Sequence, residues 1–148
     1  MPMIHVYVPE ATLSSDDKRN LIVDVTKAAE AAEGVAVADR TWVLIHEVPR
    51  ENWGERGAPL GVGKSRPIIE ISTPIGWVTL ARKRAMVQRV AYAAAKAAGT
   101  NGVHYVIIQE VPDGGWGDQG TAITRDTYQL YAAPDLEVGE LGGGGGAS

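Results

Sequence analysis

Apolar and polar positions alternate at the start of the chain, with Ile4, Val6 and Val8 set against His5 and Tyr7. A period of two is that of a strand with one covered face, and it predicts a strand over Met3 to Val8. The period then lengthens. Leu21, Val25, Ala28 and Ala32 recur at helical spacing and mark one apolar stripe. Ser14 stands ahead of that stripe with Asp17 three residues on, a capping-box arrangement that uses Asp in place of Glu. Gly34 supplies the stop. Thr41 to Val48 returns to strand formers, and Pro49 closes the run. A strand, a helix and a strand in this order predict a β-α-β unit, two parallel strands joined by a right-handed crossover.

The pattern is then written a second time. Ile68 to Ser72 predicts a strand. Thr79 caps a helix whose buried face carries Val87, Val90, Ala94 and Ala98, and Tyr105 to Val111 predicts the closing strand. Pro2 aligns with Pro67, Pro9 with Pro74, Lys18-Arg19 with Lys83-Arg84, and Gly34 with Gly99. After those glycines the second copy is shorter, with Thr100 to His104 in place of Val35 to Thr41. Each copy ends alike, as Glu47-Val48-Pro49 followed by Trp53-Gly54 and as Glu110-Val111-Pro112 followed by Trp116-Gly117. A repeat of this length dictates the fold. The expected architecture is α/β: two tandem β-α-β repeats forming a four-stranded sheet with two helices on one face. The expected boundaries are residues 1–57 for the first unit, 58–66 for a linker, 67–132 for the second unit and 133–148 for a disordered glycine-rich tail. The sheet's other face has no helices to cover it, which predicts burial in an oligomer.

Composition narrows the function classes. The chain has 148 residues, 45% hydrophobic and 22% charged, ordinary values for one globular domain that buries about two-thirds of its unfolded surface. A net charge of −4 offers no general attraction for nucleic acid or an anionic membrane, so neither is an expected partner. The chain has no cysteine, which excludes disulfides and thiolate metal sites. No basic n-region with an apolar h-region opens it and no run reaches the length of a membrane span, so the expected location is cytoplasmic.

Few residues carry candidate chemistry. Ala58 to Ser65 comes near a phosphate-binding loop, but its first glycine is displaced to Gly57 and it precedes a strand where such a loop would follow one. It is read as a linker. His5, His46 and His104 lack metal-ligand spacing, so no metal and no cofactor is expected. Pro2 is the strongest candidate. Excision of Met1 is expected before proline and would leave a secondary amine as the first group of the chain. An N-terminal amine titrates near pH 8 in water, and an apolar pocket lowers that value. A rigid amine poised there can take and return a proton. Pro67 sits inside a peptide bond and has no basic nitrogen, so only one repeat head can do this chemistry.

An N-terminal proline that opens a β-α-β unit, whose closing strand runs into Glu-Val-Pro-x-x-x-Trp-Gly, resembles the tautomerase superfamily. The doubling makes the chain similar to its fused 4-oxalocrotonate tautomerase-like members, over residues 2 to about 120. The resemblance implies an isomerase that catalyses keto–enol 1,3-proton transfer on a small 2-oxo or enol acid, with Pro2 as general base. It places a pocket aromatic at Trp53 and at Trp116. Where single-repeat members carry substrate-gripping arginines, this chain has Ala11-Thr12 and Trp42. Arg40, two residues earlier and expected on the same face of the strand, is the substitute, with Arg56 and Arg66 as weaker candidates. The expected site therefore has Pro2, Arg40 and Asp39 as catalytic residues, with Trp42, Trp53, Trp116 and Arg66 binding the substrate. Asp39-Arg40 also resembles the Asp-Arg pair of two-repeat decarboxylases of the superfamily. Decarboxylation or hydration of a 3-oxo or unsaturated acid is thus a second reading, and a non-catalytic binding or oligomerisation scaffold a third. The resemblance also implies a homotrimer.

Overall fold

The computed structural model describes residues 2–34 and 38–128. The proposed tail, 133–148, lies outside the described residues, as does the end of the second unit beyond 128. In chain order the elements are β1 (Met3–Pro9), α1 (Ser15–Glu33), β2 (Trp42–Val48), β3 (Gly54–Glu55), β4 (Ala58–Pro59), β5 (Ile68–Pro74), α2 (Leu80–Ala98), β6 (Tyr105–Val111), β7 (Trp116–Asp118), β8 (Thr121–Ile123) and the short α3 (Arg125–Tyr128). Ala58 and Pro59, at the start of the span expected as a linker, form a strand of the first unit's closing hairpin.

The four long strands make one sheet in the order β2-β1-β5-β6. β1 runs parallel to β2, β5 runs parallel to β6, and β1 meets β5 antiparallel. His5 lies opposite Glu70, its own counterpart in the second repeat, so a pseudo-twofold axis passes between them. Ile4, Val6, Ile69 and Ile71 point to one face and are fully buried with Leu21 and Val25 of α1 and Met86 and Val90 of α2.

Helix ends follow their sequence signals. Ser14 Oγ accepts the Asp17 N–H at 3.1 Å while Asp17 Oδ2 accepts the Ser14 N–H at 2.8 Å, which closes the capping box. Gly34 and Gly99 end the two helices at φ 71° and 64°, left-handed values that glycine adopts without steric cost. Equivalent ion pairs, Lys18 to Glu47 and Lys83 to Glu110 at 2.9 Å each, tie each helix's first turn to its closing strand.

The buried stripe of α2 differs from the expected one. Ala85, Met86, Val90, Ala93, Ala94 and Ala98 are buried, whereas Val87 is 36% exposed. Its counterpart Ile22 on α1 is also exposed, and Ala29 is buried where Ala28 was expected. The two helices lie side by side with Ala28, Ala31 and Ala93 along the groove between them. On α2 the buried stripe is rotated toward the neighbouring helix through Ala85, Met86 and Ala93, which leaves Val87 out of the core. Leu21→Ala is therefore expected to cost about 2–5 kcal/mol in urea unfolding, and Val87→Ala no more than about 0.5 kcal/mol. Comparable losses in both would contradict this packing.

The second sheet face carries Trp42, Leu44 and His46 on β2, His5 and Tyr7 on β1, Glu70 on β5, and Tyr105 and Ile107 on β6, and no helix among the described residues covers it. Trp42 is 69% exposed and Tyr105 65%.

Candidate functional site

Each closing strand runs into a two-residue hairpin. Arg56-Gly57 joins β3 to β4 with φ of 53° and 81°, and Gln119-Gly120 joins β7 to β8 with φ of 49° and 82°. Positive φ at both central residues is the type I′ turn, whose twist matches that of the strands it joins. A repeat's closing strand is parallel to its opening strand, so it ends at the far end of the sheet from its own proline. The antiparallel β1–β5 junction brings the other repeat's proline to that far end. Each Trp-Gly hairpin thus folds over the head of the other repeat.

Two related cavities result. The one at the Pro2 head measures about 480 Å³ and is lined by Met3, Asp39, Arg40, Trp42 and the hairpin residues Trp116 to Gln119. Pro2 is itself buried beside it, and its carbonyl accepts the Trp42 N–H at 3.2 Å. Asp39 and Arg40 stand in a 3₁₀ turn, Ala38–Arg40, so Arg40 does not continue the face of β2 as expected. The turn ends with the Thr41 N–H on the Ala38 carbonyl at 3.4 Å, and β2 begins one residue later. Arg40 reaches the cavity all the same.

Behind that cavity, Trp116 packs on a small cluster of buried Trp77, Val78 and Ile123. The Trp77 indole donates to Glu33 Oε2 at 2.9 Å, with Glu33 only 1% exposed at the end of α1. Trp116 therefore rests on a fixed indole.

Of the sequence-predicted site residues, the fold gathers Asp39, Arg40, Trp42 and Trp116 around one cavity beside Pro2. It does not bring Trp53 there. Trp53 lines the second cavity, about 540 Å³, with Tyr7, Glu55, Arg56, Ile68, His104 and Tyr105 at the Pro67 head. Arg66 is exposed next to Pro67 and lines neither cavity. Within Ala58 to Ser65, backbone carbonyls face a cation, the opposite of a phosphate-binding loop. Arg50 Nε and Nη2 donate to the Gly61 carbonyl at 3.1 and 2.6 Å, and Nη2 also donates to that of Gly63.

Two polar clusters were not foreseen. At the second cavity, Glu55 Oε1 accepts from the Trp53 indole at 2.9 Å and from the Ser65 hydroxyl, and His104 Nε2 lies 3.3 Å away. The Ser65 hydroxyl, then the Trp53 indole, hold the Glu55 carboxyl below its ordinary range. On the open sheet face, His5 Nδ1 meets His46 Nε2 at 2.7 Å and Tyr7 donates to Glu70 Oε2 at 3.0 Å. Desolvation and the Glu70 carboxylate raise the Tyr7 phenol. The first cluster joins residues up to 51 positions apart, and only strand register brings the second together. Among the described residues no group of three or more His, Cys, Asp or Glu could hold a metal ion. None of the described helices is long and apolar enough to cross a membrane.

Comparison with known proteins adds to this geometry. The model of a family of tautomerase enzymes matches residues 2–63 and again residues 67–125. The 2-hydroxymuconate tautomerase of Comamonas testosteroni is 41% identical over 58 residues, which span 38% of this chain and 87% of that protein. A native fused 4-OT has the same fold, with a TM-score of 0.75 and 22% identity over 87% of this chain and 98% of its own. The wild-type R7 fused 4-OT, an asymmetric trimer, gives a TM-score of 0.72 at 25% identity, covering 87% of this chain and 98% of that one.

Proposed function

Because the chain belongs to the tautomerase family and is an isomerase of that kind, we propose that it moves a proton between carbon and oxygen of a small 2-oxo or enol acid, with Pro2 as the base. The observation that carries this reading is the cavity at the Pro2 head, lined by Met3, an arginine and two indoles, with the buried Pro2 next in the chain to Met3. In the proposed step the free Pro2 amine takes the proton from the enol hydroxyl and the resulting ammonium delivers one to the distal carbon. Arg40 holds the substrate carboxylate or polarises the carbonyl. Trp42 and Trp116 exclude water, which keeps the amine neutral and its hydrogen bonds strong. The name of the relative makes 2-hydroxymuconate the first substrate to assay.

The proposal requires that Pro2 be the first residue of the mature chain. Intact-mass measurement is expected to show loss of Met1, and a retained methionine would end every proline-based mechanism. A base must also be neutral to work, so kcat/KM is expected to rise with pH through one ionisation and then level off.

Asp39, adjacent to Arg40 at the same cavity, is the observation that favours a second reading. There Pro2 stays cationic beside a carboxylate and acts as an acid in decarboxylation or hydration. A rate that falls as pH climbs, with a large loss in Asp39→Asn, would establish that reading instead.

We also propose that three copies assemble through the uncovered sheet face, whose exposed Trp42, Leu44, Tyr105 and Ile107 make a large apolar patch. Light scattering is expected to return about three times the chain mass of 15.7 kDa. A monomer at micromolar concentration would contradict it.

A further inference from the structure

We propose that the cavity at the Pro67 head is a second ligand site, built to hold a small hydroxy- or enol-carboxylic acid without converting it. The inference shares its ligand class with the proposed function but not its residues.

The second cavity is the pseudo-twofold image of the first. Ile68 stands for Met3, Tyr105 for Trp42, Trp53 for Trp116, Glu55 for Asp118 and Arg56 for Gln119. Size and aromatic walls are kept, while the chemistry is redistributed. Pro67 offers no basic nitrogen, so the proton transfer proposed for the first head has no counterpart here.

Binding groups remain. The first cavity draws its arginine from the turn ahead of β2, and the second draws Arg56 from the hairpin. Arg56 lines the cavity from the first central position of the turn, at φ 53°. It makes no hydrogen bond or ion pair with a described residue. A guanidinium with no partner among the described residues, on a residue that lines a cavity, is suited to a carboxylate.

Glu55 selects for a second group. Ser65, Trp53 and His104 all address its Oε1, which orients the carboxylate and leaves Oε2 for a donor from the ligand. The carboxyl is held ionised, so it accepts and does not donate. A plain carboxylic acid would place a second negative charge near Glu55 with nothing to give it. An acid that also carries a hydroxyl satisfies both Arg56 and Glu55. A site that hydrogen-bonds a hydroxyl discriminates strongly against the analogue that lacks it. Trp53 and Tyr105 supply surface for an apolar or unsaturated body.

The test reads the two cavities separately. Indole N–H signals of Trp53 and Trp116 are followed by NMR and assigned with Trp→Phe variants. The protein is titrated with 3-phenyllactate, a hydroxy acid with no carbonyl to enolise. The Trp53 signal is expected to move saturably. Its midpoint is expected to rise about tenfold in Arg56→Gln and again in Glu55→Gln, while the Trp116 midpoint holds. 3-Phenylpropionate, which lacks the hydroxyl, is expected to bind at least about tenfold more weakly at Trp53. Enol turnover in Arg56→Gln is expected to match wild type. A Trp53 signal that stays still at millimolar 3-phenyllactate, or an unchanged midpoint in Arg56→Gln, overturns the second site whatever Trp116 does. Failure of the proposed catalytic function would show instead as absent turnover, with the Trp53 response intact.

Discussion

Pro2→Ala is expected to lower kcat/KM for enol ketonisation by about 10²–10⁴-fold, the range over which a positioned general base acts. Alanine keeps an N-terminal amine, so the loss would measure what the secondary amine and its rigid ring add. Pro67→Ala is the matched control. Both prolines are buried at the heads of equivalent strands, and each carbonyl accepts a backbone N–H, Pro2 from Trp42 at 3.2 Å and Pro67 from His104 at 2.8 Å. A purely structural role for the proline would make the two variants behave alike. The proposed chemistry predicts a large loss in the first and turnover close to wild type in the second. Equal rates for wild type and Pro2→Ala would sink the base assignment. No turnover of any enol by the wild type would point to a binding scaffold.

That contrast depends on a geometry the sequence conveys only in part. Strand and helix positions were legible because the period of two in Ile4, Val6 and Val8 and the helical stripe through Leu21 and Val25 are local. The caps at Ser14, Gly34, Thr79 and Gly99 were legible for the same reason. What the repeat could not convey is which tryptophan serves which proline. Trp53 and Trp116 occupy equivalent positions in near-identical segments, and only the antiparallel pairing of β1 with β5 separates them. Once that pairing is known, the rest follows. A closing strand parallel to its opening strand must end at the opposite edge, so Trp116 comes to the Pro2 head and Trp53 to the Pro67 head. Arg40 was expected to continue the face of β2 for a smaller reason, because a 3₁₀ turn of Ala38–Arg40 has no periodicity to betray it. The Glu55 cluster and the His5–His46 contact were invisible, since each depends on strand register over long separations.

The position of Arg40 leads to the second large expected effect. Arg40→Gln should lower kcat/KM for an enol acid by about 10–100-fold, the loss of a charge-assisted hydrogen bond to a carboxylate. The loss should fall mainly on KM if Arg40 grips the carboxylate equally before and during proton transfer, and mainly on kcat if it polarises the carbonyl only in the transition state. Arg40→Lys should recover part of the rate, because an ammonium keeps the charge but not the planar two-point contact. The pH profile is the decisive companion measurement. Glutamine at 40 leaves the amine of Pro2 in place, so the weakened enzyme should keep the rising, levelling profile of the wild type. Asp39→Asn, one residue away at the same cavity, should then change the rate little. If Asp39→Asn proves the more damaging of the two and the profile falls with pH, the cavity runs on a protonated proline and the acid reading replaces the base. A full rate in Arg40→Gln would leave the Pro2 cavity without its carboxylate grip. A neutral carbonyl compound would then be the substrate to assay, because Arg40 is the sole cationic side chain among the described residues lining that cavity.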